Sequence, residues 1–329
     1  MNRGRCLLLF SPLAVDENAT PGFYSLMKHL VTFRVIDAIA RTGSIRAAAE
    51  HLSLTASAVQ RRLQAYELEL GYQIFERWHQ GMKLNPAGEL VILHIRETLV
   101  ETRKLNTRLA DLSGLRRGEV RIGCSQALVP YFLAHHIKLY KAQFPKVIFE
   151  VHVLKHGAAE KALAAFAIDI ALVFSASDTP DFKILLGVQQ RLAAIMSIDH
   201  PLTRYDTVRL RQCYEYPIAL ASGGLGSRAM INAASRSLTC ARPPELESNS
   251  FDYLKTHIAG TNTVSFQVEI GAPRLGGTDH SVAARLVDTR DVRPGALWLG
   301  HLAGRGLSVA VSQFVEQISE DLAMNYDSL

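Results

Sequence analysis

Residues 44–64 read SIRAAAEHLSLTASAVQRRLQ, and the fold turns on what this stretch leaves exposed. Ser44 is a good N-cap, and Ile45, Ala48, Ala49 and Leu52 then fall at i, i+3, i+4 and i+7, one face of two helical turns. Ser53 and Leu54 form a turn, and Thr55 can cap the next helix through its hydroxyl. In that helix Val59, Leu63, Tyr66 and Leu70 make a second apolar stripe, closed by Gly71. The opposite face carries Ser57, Gln60, Arg61 and Gln64 at the same spacing, all hydrogen-bonding groups. The alanines 47–49 allow close packing of the shorter helix. Two helices that pack through one face and leave a polar face outward suit insertion into a DNA major groove.

The flanks fit that reading. Upstream, Leu26, Leu30, Phe33, Ile36 and Ala40 predict a helix ended by Gly43. Downstream, YQIFERWHQGMKLNPAG (72–88) predicts a strand over Gln73–Arg77, a turn over Trp78–Gly81 and a returning strand over Met82–Leu84. Such a two-stranded wing can lie along phosphates or the minor groove. Asn85 followed by Pro86 starts a long helix to about Leu112. Its residues Val91, Ile95, Thr98, Thr102, Leu105, Leu109 and Leu112 are spaced four and three alternately, which predicts a helix-pair seam. Ser113, Gly114 and Gly118 mark a hinge.

Beyond the hinge the pattern changes. VRIG (120–123), a helix over roughly Leu128–Gln143, VIFEVHV (147–153), a helical AAEKALAAFA and DIALVF (169–174) make a βαβαβ run, which implies a parallel sheet in an α/β domain. Further strands are expected at 192–197, 216–221, 263–268 and 297–300, and a last amphipathic helix carries Phe314, Val315, Ile318 and Leu322.

Composition sets bounds. The 329 residues are 48% hydrophobic and 20% charged, enough for two or three domains. No apolar run approaches the roughly 20 residues of a membrane span, so no membrane partner and a cytoplasmic location are expected. Residues 24–118 hold 14 cations against 9 anions, an excess of five that equals the net charge of the whole chain. A basic N-terminal third on a neutral remainder suggests a polyanion-binding module joined to a module with another task. The cysteines at 6, 124, 213 and 240 lack metal-finger or redox-motif spacing, so no metal site is expected. A redox switch between Cys213 and Cys240 weighs less than their reading as small apolar residues. Residues 1–22 are read as a disordered leader or the product of a misplaced start codon. SGGLGS (222–227) lacks the lysine and spacing of a phosphate loop, and no nucleophile elbow appears, so no enzyme and no cofactor are expected.

From about Phe23 to Leu322 the chain resembles the LysR-type transcriptional regulators. The resemblance is carried by FRVIDAIARTGSIRAAAEHLSLTASAVQRRLQAYELELGYQIFER, by Leu84–Gly88, by Gly118–Gly123, by DIALVF, by DHPL (199–202) and by Asn249–Ser250. It implies an α/β fold class in three parts: an N-terminal winged helix-turn-helix over 23–85, a linker and dimerisation helix over 86–113, and a two-lobed effector domain over 119–329 resembling periplasmic binding proteins. Lobe I is expected over about 119–188 and 293–326, lobe II over about 189–292. The implied partners are promoter DNA, a homodimer or homotetramer, an unidentified small-molecule effector and, as an open further partner, RNA polymerase. The alternatives weighed are a stand-alone solute-binding module and, behind it, an enzyme built on that fold.

The sequence departs from the family at the recognition helix, where Ala56, Ser57 and Gln60 replace a Gln-Pro pair and a Ser, so its base preference is expected to differ. The expected DNA contacts are Thr55, Ala56, Ser57, Gln60, Arg61, Arg62, Gln64 and Arg77. Gln60 is assigned adenine reading and Arg61 a guanine or a phosphate. Arg62 and Arg77 are assigned to phosphates or to plain solvated charge, and Thr55 starts a helix whose N–H groups suit a phosphate. Strand ends that meet helix starts are the usual ligand position in α/β lobes. That rule nominates Ser125, Gln126, Ser222, Gly224, Asn249 and Ser250 for the effector, with a plain helix cap as the competing reading of each serine.

Overall fold

The computed structural model describes residues 21–78, 81–112, 118–155, 157–174, 181–223, 226–236, 242–273 and 281–329. The leader reading for 1–22 falls outside these except at its end, where Pro21 already begins a helix. The chain divides into two compact units, one ending at Glu101 and the other beginning at Thr102.

The first unit opens with α1 (Pro21–Thr42) and turns at Gly43, whose φ is +65°. In α2 (Ile45–His51) the Ser44 hydroxyl accepts the Ala47 amide at 3.4 Å. In α3 (Ala56–Leu70) the Thr55 hydroxyl accepts the Ala58 amide at 3.2 Å, and Gly71 closes the helix in the left-handed region. Phe33, Ile36 and Ile39 of α1 meet Ala48 and Ala49 of α2 and Val59 and Leu63 of α3 in one core. Tyr66 presents its ring edge-on to Phe33 at 5.7 Å between centroids. The wing is β1 (Phe75–Trp78) antiparallel to β2 (Gly81–Leu84). Then α4 (Pro86–Leu112) starts at Asn85, whose Oδ1 accepts the Gly88 amide at 2.8 Å and whose Nδ2 donates to the Gln73 carbonyl at 2.9 Å.

One expectation needs correcting. Val91 and Ile95, placed on an inter-helix seam, pack with Ile92 and Leu99 into this unit's own core. The first half of α4 is therefore a wall of the first unit. Four-three spacing marks a buried face but does not say which surface buries it.

The second unit holds two sheet layers. In chain order it contains β3 (Gly118–Cys124), α5 (Ala134–Gln143), β4 (Val147–Val153), α6 (Ala159–Ala164), β5 (Ile170–Val173) and β6 (Phe182–Gln190). It continues with β7 (Leu192–Ser197), β8 (Thr207–Val208), α7 (Leu210–Cys213), β9 (Ala219–Ala221), α8 (Gly226–Ser235), β10 (Leu246–Ser248) and α9 (Phe251–Ile258). It ends with β11 (Ser265–Val268), β12 (Val282–Val287), β13 (Gly295–Leu302) and α10 (Val309–Asn325). The first layer is a five-stranded sheet in the order β4-β3-β5-β13-β6. Its β3 is parallel to β4 and β5, and its β13 is antiparallel to β5 and β6. The second layer is a four-stranded sheet, β11-β7-β12-β8, extended by the parallel pair β10-β9 through a bridge between Ile218 and Val264.

The chain passes from the first layer to the second at Arg191 and returns between Val287 and Gly295. Arg191 is held there by Glu269, with Nε and Nη2 donating to the two carboxylate oxygens at 2.9 and 2.7 Å. The helix expected over Leu128–Gln143 is interrupted. A 3-10 turn (Gln126–Leu128) and a π turn (Val129–Leu133) precede α5, where Pro130 supplies no N–H for a regular ladder. The hinge residues 113–117 lie outside the described residues. Among the described residues no helix is long and apolar enough to cross a membrane, and no cluster of three or more metal-ligating side chains occurs.

Candidate DNA-reading surface and effector cleft

The outward face of α3 is built by burying the other one. Val59 and Leu63 are fully packed, which turns Ser57, Arg61 and Gln64 to solvent and leaves Gln60 and Arg62 half-buried. Thr55 and Ala56 are exposed at the start of the helix, and the Ser57 and Thr55 hydroxyls lie 3.2 Å apart. Charge is distributed unevenly over the unit. Arg41 and Arg96 share the single carboxylate of Asp37, at 3.0 and 2.7 Å. Arg61, Arg62 and the wing's Arg77 have no carboxylate partner among the described residues. Arg34 and Lys83 of the same unit likewise have no carboxylate partner among the described residues.

Two hydrogen bonds fix the wing within the unit, one to α3 and one to the α1–α2 turn. The Glu67 carboxylate on α3 accepts the Ile74 amide at 2.8 Å, just before β1. The Met82 amide on β2 donates to the Gly43 carbonyl at 2.7 Å.

In the second unit a cavity of about 430 Å³ opens at the ends of β3, β4 and β5 and against the first turns of α8. Ser125 lines it, as does Gly223 beside the nominated Gly224, which itself lies outside the described residues. Leu154, Val173, Phe174 and Met230 give it an apolar wall. Its polar lining includes Lys155, Arg228 and Asn232, none of which the sequence reading nominated. Lys155 was within reach of the same strand-end rule, because it follows β4 as Ser125 follows β3. Arg228 lies in the first turn of α8 and gave no such signal.

The other nominated residues stand elsewhere. Gln126 lines a smaller pocket of about 30 Å³ with Tyr131, Phe251 and Lys255. Ser222, Asn249 and Ser250 line neither of these pockets. The Ser222 amide donates to the Ser248 carbonyl at 2.8 Å, and the Ser250 hydroxyl accepts the Tyr253 amide at 3.3 Å as the cap of α9. Asn249 is exposed.

A buried ionic group fixes β3 to the start of β5. Asp169 accepts from the Arg121 amide at 3.0 Å, from Arg121 Nε and Nη2 at 3.2 and 2.8 Å, and from Arg305 Nη2 at 2.8 Å. Burial opposes its charge, but the bonds to Arg121 and the charges of Arg121 and Arg305 prevail and hold the carboxyl below its ordinary range. Cys124 and Cys213 are both buried, and burial pushes each thiol up to about 12. At neutral pH neither presents a thiolate, which weighs against the redox role considered for Cys213. Cys240 lies outside the described residues.

Residues 30–89 match the family model for bacterial regulatory helix-turn-helix proteins of the lysR family, and residues 113–323 match the LysR substrate binding domain. The chain belongs to the LysR family. The "Probable RuBisCO transcriptional regulator" of Nostoc sp. is 25% identical over 304 residues, covering 88% of this chain and 87% of that protein. The "HTH-type transcriptional activator CmpR" of Synechocystis sp. is 24% identical over 228 residues, 69% of this chain and 75% of that one. In fold the chain is similar to full-length OxyR C199D from Pseudomonas aeruginosa, with a TM-score of 0.65 and 17% identity over 90% of this chain and 94% of that one. It is also similar to full-length CbnR complexed with its target DNA, with a TM-score of 0.59 and 16% identity over 88% and 99% of the two chains. As a LysR-type protein the chain is a DNA-binding transcriptional regulator with an effector-binding domain. The reading as a stand-alone solute-binding module leaves the matched helix-turn-helix unexplained.

Proposed function

We propose that this LysR-type regulator reads its operator with the outward face of α3 and senses a small molecule in the cavity between its two sheet layers. The observation that carries the first half is the separation of faces on α3. Val59 and Leu63 hold the helix, while Ser57, Gln60, Arg61 and Gln64 have no core to serve. Gln60 is the base reader, Arg61 a guanine or phosphate contact, and Arg62 and Arg77 phosphate contacts; Thr55 and Ala56 begin the helix against the backbone. The segments act as a reading module over 23–85, a linker helix over 86–113 that also joins copies of the chain, and a sensing domain over 119–329. The protein works in the cytoplasm as a dimer or tetramer, with half-sites roughly 34 Å apart or multiples of that, and hands its signal to RNA polymerase. It performs no catalysis and holds no cofactor besides the effector.

The effector acts only through unequal affinity for two arrangements of the protein. Contact with both layers at once supplies that inequality. An electrophoretic shift on the DNA upstream of the gene, repeated across a salt series, tests the reading: a retarded band that weakens steeply with salt is expected. Absence of a retarded band at moderate salt would overturn it.

A further inference from the structure

Two of the cavity's four polar side chains, Lys155 and Arg228, can only donate hydrogen bonds, and the other two, Ser125 and Asn232, can donate as well as accept. Ser125 stands before a 3-10 turn, yet its hydroxyl caps nothing. The Lys155 ammonium has no carboxylate partner among the described residues. Arg228 is fixed by three bonds: Nε donates to Asn232 Oδ1 at 2.9 Å, and Nη1 donates to the Ala221 carbonyl at 3.1 Å and to Glu247 Oε1 at 2.9 Å. That leaves its Nη2 without a partner among the described residues. No aspartate or glutamate is among the described lining residues. A lysine and an arginine can only donate, so the groups they await must accept.

Resting on the effector reading above, we propose that the ligand is a small organic anion, a carboxylate or a phosphate ester with an apolar body. Its anionic end sits between Ser125, Lys155 and Arg228, and its body lies against Val173, Phe174 and Met230. The volume of about 430 Å³ suits a metabolite-sized molecule, within the roughly 300–1,000 Å³ usual for such sites. The placement of the donors also gives a regulatory consequence. Ser125 and Lys155 follow strands of the first layer, whereas Arg228 belongs to α8, which packs with the second. Glu247 already balances the charge of Arg228, so among the described residues the lining cation without a carboxylate partner is Lys155. An anion that Lys155 and the Nη2 of Arg228 both hold bridges the two layers, so charge on the ligand is what favours closure.

The test uses the full-length protein and matched probes at constant ionic strength. Benzoate and phenyl phosphate are compared with benzamide, phenol and benzylamine, and then short aliphatic carboxylates with their amides. Thermal shift and calorimetry are the readouts. Carboxylate or phosphate probes should raise Tm in a saturable way, and the arm that binds tighter identifies the anionic group. Lys155→Gln should weaken the bound anion about tenfold, as expected for loss of a charged hydrogen bond. Neutral or cationic probes binding as well as the anions, or no anion binding at all, would overturn the proposal. Ala229→Trp, which fills the cavity, separates the two ideas. If it abolishes binding of neutral probes, the cleft stands and the anionic assignment fails. If it leaves anion binding intact, the ligand lies elsewhere and the assignment of this cleft fails with it.

Discussion

Gly81 of the wing lies directly against the turn at Gly43: a Cβ on Gly81 would stand 2.2 Å from the Gly43 carbonyl oxygen. That same oxygen accepts the Met82 amide at 2.7 Å. Gly81 also has a φ of +135°, a region that side chains strain to enter. Gly81→Ala should therefore push the wing off the α1–α2 turn. A stability loss of about 1–3 kcal/mol is expected in denaturant melts, together with weaker operator binding. Gly71→Ala is the control. Its φ is +78° but nothing lies within 4 Å, so only the conformational cost of about 1–2 kcal/mol should appear.

Gln60 and Arg61 should separate in a binding assay. Gln60→Ala should relax base preference at one operator position, with a discrimination loss of about 1–3 kcal/mol there. If Arg61 holds a phosphate, Arg61→Ala should weaken all sequences alike and lower the salt slope by about one. Equal loss on every sequence for Gln60→Ala would remove its role as a reader.

Asp169→Asn takes the charge from between two buried arginines. A cost of about 3–5 kcal/mol is expected, read from the denaturant midpoint. Because the folded carboxyl titrates below its ordinary value, its stabilisation is present above the unfolded pKa. It is lost as pH falls through the folded value, below about pH 4. The acid limb of the wild-type protein should be smaller in Asp169→Asn by this share, with the share due to Asp288 and Asp291 retained.

His200 is buried and works as a neutral ring. Its Nδ1 accepts the Leu202 amide at 3.2 Å, and its Nε2 faces the Asn262 carbonyl at 3.3 Å. Burial lowers its pKa, as it does for His301, where the Lys183 charge adds to the effect. Both groups contribute stability above the unfolded value of about 6.5, and the contribution declines as pH falls toward the folded values. Tm should drop between neutral pH and about pH 5.5. His200→Asn, which keeps an acceptor for Leu202, should lose part of that drop and retain the share due to His301.

Cys213 should resist modification. With its thiol buried and pushed up to about 12, maleimide labelling of the native protein at neutral pH should be slow and should accelerate on unfolding. Rapid native labelling at this residue would contradict the buried geometry.

The first unit was legible because its signals are local. Ser44, Thr55 and Asn85 cap the helices the spacing predicted, and the buried stripe of α3 is the one read from the sequence. The wing strand was displaced by two residues at its start, since Gln73 and Ile74 are bound by side chains of Asn85 and Glu67 instead of a partner strand. In the second unit β6, β8, β10 and β12 went unread. The longer two, β6 and β12, carry half-buried or exposed apolar residues, among them Ile184 and Leu185, so neither shows a clean two-residue alternation. The cleft was legible at Ser125, where the strand-end rule applies. It was not legible at Arg228, whose position depends on Glu247 and Asn232 meeting it in space.

The Glu67–Ile74 bond has a consequence for how such a protein diversifies. Recognition helix and wing are joined through Glu67 and through buried residues, and the outward stripe of α3 takes no part in that joinery. Ser57, Arg61 and Gln64 are exposed, and exchanging them removes no side chain of the buried core. On the proposed reading of the operator by this stripe, it is an interchangeable faceplate, and the sequence recognised can drift by single substitutions while the frame that presents it stays as it is.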